Sequence, residues 1–338
     1  MTRSSPSPFP EPVRRENLSS GTLACSCPDR FCASAGSVGQ TGEVIYAGTP
    51  LTDAVRRAVT TTWGVPCDGG RRLYGGEESA AYLLGDHVVR VGPSSRTSAE
   101  SEWCHAVARH AAAHLAEAVA PVATPSGDTV IRVDGRPISL WPYIEGDWPD
   151  SDLPGHRVQG ARLLARLHAA LASARPGPRP APAFQESGLY GEPPHDAAGL
   201  ADPALDRWLA DFHRSHHVRH PLHGDYYTGN TLAGDGTIVA VLDWDEAFVG
   251  APEVELAAAA LEWGDDELGP SKEFVDAYLE AGGTASPLTE EELAQLVRHK
   301  LRREYAYFHK AVAAGVAHDK DDLDYFHQRV ALFHDLTP

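Results

Sequence analysis

The chain has 338 residues, enough for a bilobal enzyme or two ordinary domains, and 42% are hydrophobic, enough to bury a sizeable core. Its formal charge is −18, and from His223 to Pro338 there are 23 Asp and Glu against 8 Lys and Arg, so most of the excess lies in the last third. Nucleic acid and anionic membranes both select basic surfaces, so neither is an expected partner, whereas an acidic face suits either a cationic small molecule or plain solvation.

Residues 1–49 are rich in Ser, Pro and Gly and poor in large apolar side chains, a composition that predicts a disordered extension. Cys25, Cys27 and Cys32 cluster within it, but the spacing matches no zinc module and no fourth ligand is obvious, so free thiols are expected. Cys67 and Cys104 read as small apolar residues. Leu51, Ala54, Val55 and Val59 then give a short helical stripe.

From Arg71 the period changes to two. Leu73 and Tyr74 lead into a turn at Gly75, Gly76, Glu77, Glu78 and Ser79, followed by strands 80–84 and 87–91 about a Gly85-Asp86 turn. A glycine turn between strands either simply reverses the chain or lets backbone N–H groups approach phosphates. Trp103, Ala106 and Val107 open a helical stripe preceded by Glu100 and Glu102. Residues 129–133 and 137–141 form a second hairpin about Asp134-Gly135, and Pro142, Tyr143, Ile144, Glu145 and Gly146 follow.

Beyond this point helices dominate. Leu163, Leu164, Leu167 and Leu171 make one face, with His168 packed beside them, and 174–194 is a Pro- and Gly-rich loop. Leu205, Trp208, Leu209 and Phe212 make the next stripe, and helices are expected at 254–263, 272–281 and 290–314, with a last stripe at Leu323, Phe326, Val330 and Phe333. No run of about twenty apolar residues occurs, so no membrane span is expected. The amino terminus lacks the order of a signal peptide, so a cytoplasmic location is expected.

The chemistry concentrates in 223–255. His223-Gly224-Asp225 is followed by Asn230, a turn at 233–236, and a β-branched strand, 237–242, that runs into Asp243-Trp244-Asp245. Asn230 and Asp243 therefore stand at the open ends of one hairpin, where both can reach a single cation. Mg²⁺ takes hard oxygen ligands and keeps several waters, so one carboxylate and one amide oxygen suffice beside phosphates. Asp225 supplies a carboxylate able to accept a proton. This is the polar set needed to move a phosphoryl group to a hydroxyl.

The stretch resembles the aminoglycoside phosphotransferase and choline kinase-like branch of the protein-kinase fold. The family's His-Gly-Asp-x4-Asn is met by His223, Gly224, Asp225 and Asn230, and its Asp-Trp-Asp/Glu-x-Ala-x-x-Gly-x-Pro by the run from Asp243 to Pro252. Glu255-Leu256-Ala257 stands where the family closes with Asp-Leu-Ala. The resemblance covers roughly Leu51 to Pro338. It implies an α+β bilobal fold: an antiparallel-sheet N-lobe over 50–141, a hinge at 142–146 and a mainly helical C-lobe over 147–338. It implies Asp225 as base, His223 as orienter of the loop, and Asn230 and Asp243 as magnesium ligands. Asp245 is either a second metal contact or a partner of a neighbouring loop.

The resemblance further implies that ATP is held by Gly75, Gly76 and Ser79, where Ser79 replaces the family's Asn, by Arg90 in place of the usual Lys, and by Trp141, Tyr143 and Ile144 at the hinge. Pro142 lacks an N–H, so Tyr143 or Ile144 is the expected adenine donor. Glu102, or else Glu100, is the expected carboxylate partner of Arg90. The expected activity is ATP-dependent phosphorylation of a small-molecule hydroxyl, with an aminoglycoside-like or other cationic amino alcohol as acceptor, walled by Glu262, Asp265, Asp266 and Glu267. The alternatives are a metabolic kinase for choline, homoserine or a sugar, and a non-catalytic nucleotide-binding module.

Overall fold

The computed structural model describes residues 49–67, 69–73, 79–190, 198–313 and 318–337. The expected extension with its three cysteines and the Gly75-Gly76 turn lie outside the described residues. Helix α1 (Asp53–Trp63) starts where the Thr52 hydroxyl accepts the Val55 N–H at 3.2 Å and stops at Gly64, whose φ of 72° a side chain would disfavour. Its buried Val55 and Val59 face a five-stranded antiparallel sheet in the order β1-β2-β3-β5-β4. The strands are β1 (Arg71–Leu73), β2 (Ala80–Leu84), β3 (His87–Val91), β4 (Ile131–Val133) and β5 (Arg136–Pro142). Alternation puts Val89, Val91, Ile138 and Leu140 on the covered face, where they form a small core with α1. Both expected hairpins are present, paired as Leu84↔His87 and Val133↔Arg136.

Helix α2 (Ser98–Ala112) begins with a reciprocal capping box between Thr97 and Glu100. Its buried Trp103, Cys104, Val107, Ala108 and Ala111 belong to the larger core, shared with α3 (Pro154–Leu171), rather than to the core beneath the sheet. Helix α2 is thereby held from the C-terminal half while following directly on β3, which fixes the two halves against each other. In α3, Leu163, Leu164, Leu167 and Leu171 are at most 2% exposed; burial of one such side chain stabilises by about 1.5–3 kcal/mol.

The C-terminal half continues with α4 (Pro203–Ser215), α5 (Pro252–Trp263), α6 (Leu268–Glu280), α7 (Glu290–Ala313) and α8 (Lys320–Asp335). The last stripe is only partly buried: Phe333 is in the core, whereas Leu323 is exposed. No helix among the described residues is long and apolar enough to cross a membrane.

Two small ladders frame the motif region. β6 (His220–Leu222) pairs antiparallel with β9 (Phe248–Gly250), and β7 (Thr231–Gly234) with β8 (Thr237–Val241). The β7–β8 turn is Asp235-Gly236 with φ of 50° and 75°, the left-handed pair a tight hairpin requires. β7 therefore runs through Ala233 and Gly234, which the sequence places in the turn. The β6–β9 ladder was not expected; three-residue strands, one containing Pro221, carry no readable period. Backbone bonds from Val241 to Glu117 and from Asp147 to Ala233, at 2.7 and 2.9 Å, tie the hairpin to segments on both sides of the hinge.

Candidate active site

The 223–230 loop is built around buried carboxylate and imidazole groups. His223 is fully buried; its Nε2 faces the Leu242 carbonyl at 2.7 Å, so Nε2 carries the proton, and Nδ1 accepts the Asp225 N–H at 3.3 Å. The imidazole is thus engaged at both nitrogens and orients the loop. The Glu255 carboxylate accepts the N–H groups of His223 and Gly224 and bonds His168 Nε2 at 2.8 Å. The Tyr278 hydroxyl, 2.7 Å from His168 Nδ1 and accepting the Ala285 N–H, completes the relay. Burial alone would raise the Glu255 carboxyl, but the His168 hydrogen bond and the loop N–H groups bring it below its ordinary value. The family's Asp-to-Glu departure thus keeps its oxygens on the loop backbone. Gly224 cannot carry a side chain here: φ is 88° and a Cβ would lie 2.0 Å from the Glu246 carbonyl oxygen.

Asp225 is poised to change protonation near neutrality. Desolvation pushes its carboxyl up to about 6, against the lowering fields of Lys300 and His223. Its position is set by Asn230, whose amide nitrogen donates to the Asp225 carboxylate at 2.8 Å and to its backbone carbonyl at 2.9 Å. The Asn230 NH₂ being engaged, its carbonyl oxygen is the group left for a cation. The hairpin register brings Leu242 N–H to the Asn230 backbone carbonyl at 2.8 Å, so Asp243 follows directly opposite the loop. Asp243 has a left-handed φ of 52°, uncommon for a residue with a side chain and typical of constrained site positions.

Arg90 of β3 reaches this cluster. Its Nη2 lies 3.1 Å from both Asp243 oxygens and 2.9 Å from Asp245, which also pairs with Arg96. Desolvation would raise the Asp245 carboxyl, but Arg90 and Arg96 hold it at about 2. In the structure Asp245 is the partner of an arginine pair, Arg90 and Arg96. The sequence expectation for Arg90 needs correction. Glu102 does not pair with it; the Glu102 carboxylate accepts the N–H groups of Thr129 and Val130 at 2.7 and 2.8 Å and the Thr129 hydroxyl at 2.6 Å. Glu100 serves the Thr97 cap. A carboxylate on the helix nearest in sequence was expected, but two aspartates more than 150 positions away lie closer.

Arg90 also stands over Trp141, 5.9 Å from ring centroid to guanidinium carbon. Trp141 is 5% exposed and fixed by a 2.8 Å bond to Ser139. It is a floor beneath Arg90. At the hinge, the Tyr143 N–H is taken by the Asp86 carbonyl at 2.9 Å, whereas the Ile144 N–H has no backbone partner among the described residues. Of the two proposed donors, Ile144 is the one available. Ser79 is buried where the turn rejoins the sheet.

Several groups escaped the sequence reading. Lys300 and Arg303, on α7, are buried and lie in the electrostatic field of Asp225. Lys300 bonds Glu304 at 2.6 Å and reaches Glu262 at 3.4 Å. The sequence predicts a helix over 290–314, but helical pattern cannot reveal that cations lie among its buried residues. The expected acidic wall is also altered: Arg329 of α8 bonds Glu262 at 2.8 Å and Asp266 at 2.7 Å, and Glu304 as well. Glu262 and Asp266 are held by cations of the same fold, not presented to a ligand.

Oxygen donors from Asn230 and Asp243 suit Mg²⁺ in kind, and two such ligands leave the rest of the shell to phosphates and water. No group of three or more His, Cys, Asp or Glu able to cage a metal by itself occurs among the described residues.

The sequence profile of the phosphotransferase enzyme family matches residues 69–296. A homoserine kinase of Pseudomonas aeruginosa is 29% identical over 175 residues, 49% of this chain, and the match spans just over half, 55%, of that relative. A homoserine kinase of Granulibacter bethesdensis is 25% identical over 290 residues, 76% of this chain and 87% of its own. Among solved structures, amicoumacin kinase in complex with AMP-PNP, Ca²⁺ and Ami superposes with a TM-score of 0.67 at 14% identity, covering 84% of this chain and 93% of that one. At that identity the likeness is one of fold, the bilobal kinase-like architecture built above.

Proposed function

This chain belongs to the phosphotransferase enzyme family, and from that premise we propose that it transfers the γ-phosphoryl group of Mg-ATP to the hydroxyl of a small metabolite, with Asp225 as the base. The family and the kinase fold supply the phosphotransferase activity; ATP as donor, magnesium and the residue roles are our reading. The observation that carries it is the arrangement at Asp225: a carboxyl raised to about 6, locked by the Asn230 amide, opposite Asp243. A base with that affinity is largely ionised at neutral pH and still basic enough to accept a hydroxyl proton.

Asn230 and Asp243 would hold Mg²⁺, which when bound neutralises charge on the phosphate oxygens. The protein's own contribution is positioning. Asp225 accepts the acceptor's proton at a carboxylate oxygen and orients the hydroxyl. Arg90, a fixed charge with a forked donor set, turns from Asp243 and Asp245 toward the phosphates. The Ile144 N–H meets the adenine edge. His223 and Glu255 keep the loop in register.

The homoserine kinase relatives favour a metabolic acceptor, the alternative to an antibiotic. Incubating the protein with Mg-ATP and a panel of amino alcohols, hydroxy amino acids and aminoglycosides, read by phosphate mass gain, tests the reading. One acceptor should gain one phosphate with stoichiometric ADP. ATP binding without phosphorylation of any acceptor would return the chain to a non-catalytic nucleotide-binding module.

A further inference from the structure

Between positions 298 and 303, α7 carries four buried cations. Three have carboxylate partners: Arg298 with Asp202 at 2.6 Å, Lys300 with Glu304 at 2.6 Å, and Arg302 with Asp206 at 2.8 Å. Arg303 is different. It is 2% exposed, enters no hydrogen bond or ion pair among the described residues, and its Nε is shielded without a partner. A buried charge is normally paired, because stripping its water without a counter-charge is expensive. The guanidinium lies instead in the combined field of Asp225, the proposed base, Glu246 and its helix neighbour Glu304. Glu246 in turn accepts the Gln185 N–H at 3.4 Å, which ties the segment after Asp243 to the 184–186 turn.

We propose that Arg303 reads a carboxylate on the phosphoryl acceptor, so that the substrate is a hydroxylated amino acid or hydroxy acid. This rests on the phosphotransferase reading above and names its acceptor class. The guanidinium fork matches a carboxylate in two parallel hydrogen bonds, geometry an ammonium cannot offer. A bound carboxylate would supply the missing counter-ion. Desolvation lowers Arg303, to about 10, which leaves it charged at neutral pH. A polyamine would instead meet Arg303 and Lys300 beside the base, while Glu262 and Asp266 are already held by Arg329. The competing role is that Arg303 only balances the charge of Asp225, and the two roles differ in what they predict for acceptors without a carboxylate.

The test compares hydroxy amino acids (serine, threonine and L-homoserine), L-homoserine amide, choline and kanamycin as acceptors at saturating Mg-ATP, in wild type, Arg303→Met and Arg303→Lys. In wild type, a hydroxy amino acid should be phosphorylated and the amide should be poorer by about 100-fold in kcat/KM, the scale for losing one buried charged contact. Arg303→Met should impose about that loss on the free acid through KM while costing the amide far less and sparing the KM for ATP, and Arg303→Lys should restore part of it. The wild-type comparison of acid with amide needs no variant to fold. Equal use of acid and amide, or equal losses for every acceptor with a shifted pH profile in Arg303→Met, overturns carboxylate recognition in favour of charge balance. Phosphorylation of choline or kanamycin but of no hydroxy amino acid overturns it while phosphoryl transfer stands. No phosphorylation of any acceptor sinks both.

Discussion

Asp225 shows how burial sets chemistry. Removing water from a carboxylate raises its proton affinity, and Lys300 and His223 only partly oppose this, so the group settles at about 6. As the proposed base Asp225 would act when ionised, so kcat should rise with pH through about 6 and level off above it, a limb visible in a pH–rate profile. Asp225→Asn should remove that limb, lower kcat by about 100-fold or more, and leave the Mg-ATP dissociation constant nearly unchanged by calorimetry. Near-wild-type turnover in that variant would take Asp225 out of the reaction. The two aspartates beyond the hairpin should separate in the opposite sense. Asp243→Ala should abolish Mg-dependent ATP binding, whereas Asp245→Asn should chiefly lower the melting temperature. Asp245 is held at about 2, below its ordinary 3.8. The folded state therefore binds fewer protons at that group, its contribution is complete above about 4, and it is lost as pH falls toward about 2. Melting curves of Asp245→Asn and wild type should converge across that window; a difference that persists at the acid end would assign the loss to packing.

At the level of loops, strands and helices, the 223–230 loop is held from behind. Tyr278 on α6, His168 on α3 and Glu255 on α5 pass one hydrogen-bonded relay to the backbone of His223 and Gly224. Turning one Glu255 oxygen into an NH₂ removes the charge and faces a donor at buried donors that had an acceptor, a loss on the scale of about 3–5 kcal/mol. Glu255→Gln should therefore lower the melting temperature and kcat together, with ATP affinity spared if α5 and the sheet still pack. Intact turnover would reduce the relay to scaffolding. The relay also marks where sequence reading stops. His223, Asp225, Asn230 and Asp243 were legible because one loop and one hairpin carry them within 21 positions, and local geometry brings them together. The helices, α8 with its last stripe included, and both N-terminal hairpins were legible from local pattern. Arg90's partners were not, since Asp243 and Asp245 lie 153 and 155 residues away, and neither were Arg303 or the β6–β9 ladder. Such contacts depend on how halves of the chain dock, and no short-range period encodes that. Which of Tyr143 and Ile144 keeps an open N–H was not legible for a related reason: it depends on how far the β3–β5 ladder runs on past Pro142, here to the Asp86 carbonyl.

The charge of the entire chain, −18, invites an argument for steering cations that the arrangement of its side chains weakens. Much of the acidity near α5 and α7 is matched internally. Arg329 alone joins α8 to Glu262, Asp266 and Glu304, and Lys300 meets Glu262 and Glu304. Burial would raise Glu262, yet Arg329 and Lys300 hold it at about 2. These pairs stabilise by docking the last helix, and truncation of Arg329 would leave half-buried carboxylates facing one another. What matters for the acceptor is the field at Asp225, and there Lys300 and Arg303 offset the acidic groups. Charges on the outer surface act only within the Debye length, about 8 Å at physiological salt, whereas an arginine at 2% exposure is scarcely screened. For a hydroxy amino acid with no net charge, acceptor KM should therefore stay within about twofold between low and high salt. A polycation drawn by the outer surface should instead show KM rising steeply with salt while KM for ATP moves less. Measuring both constants across an ionic-strength series discriminates the two, and a steep acceptor dependence would mean that the outer acidity, rather than the pairing beneath it, governs what the enzyme gathers.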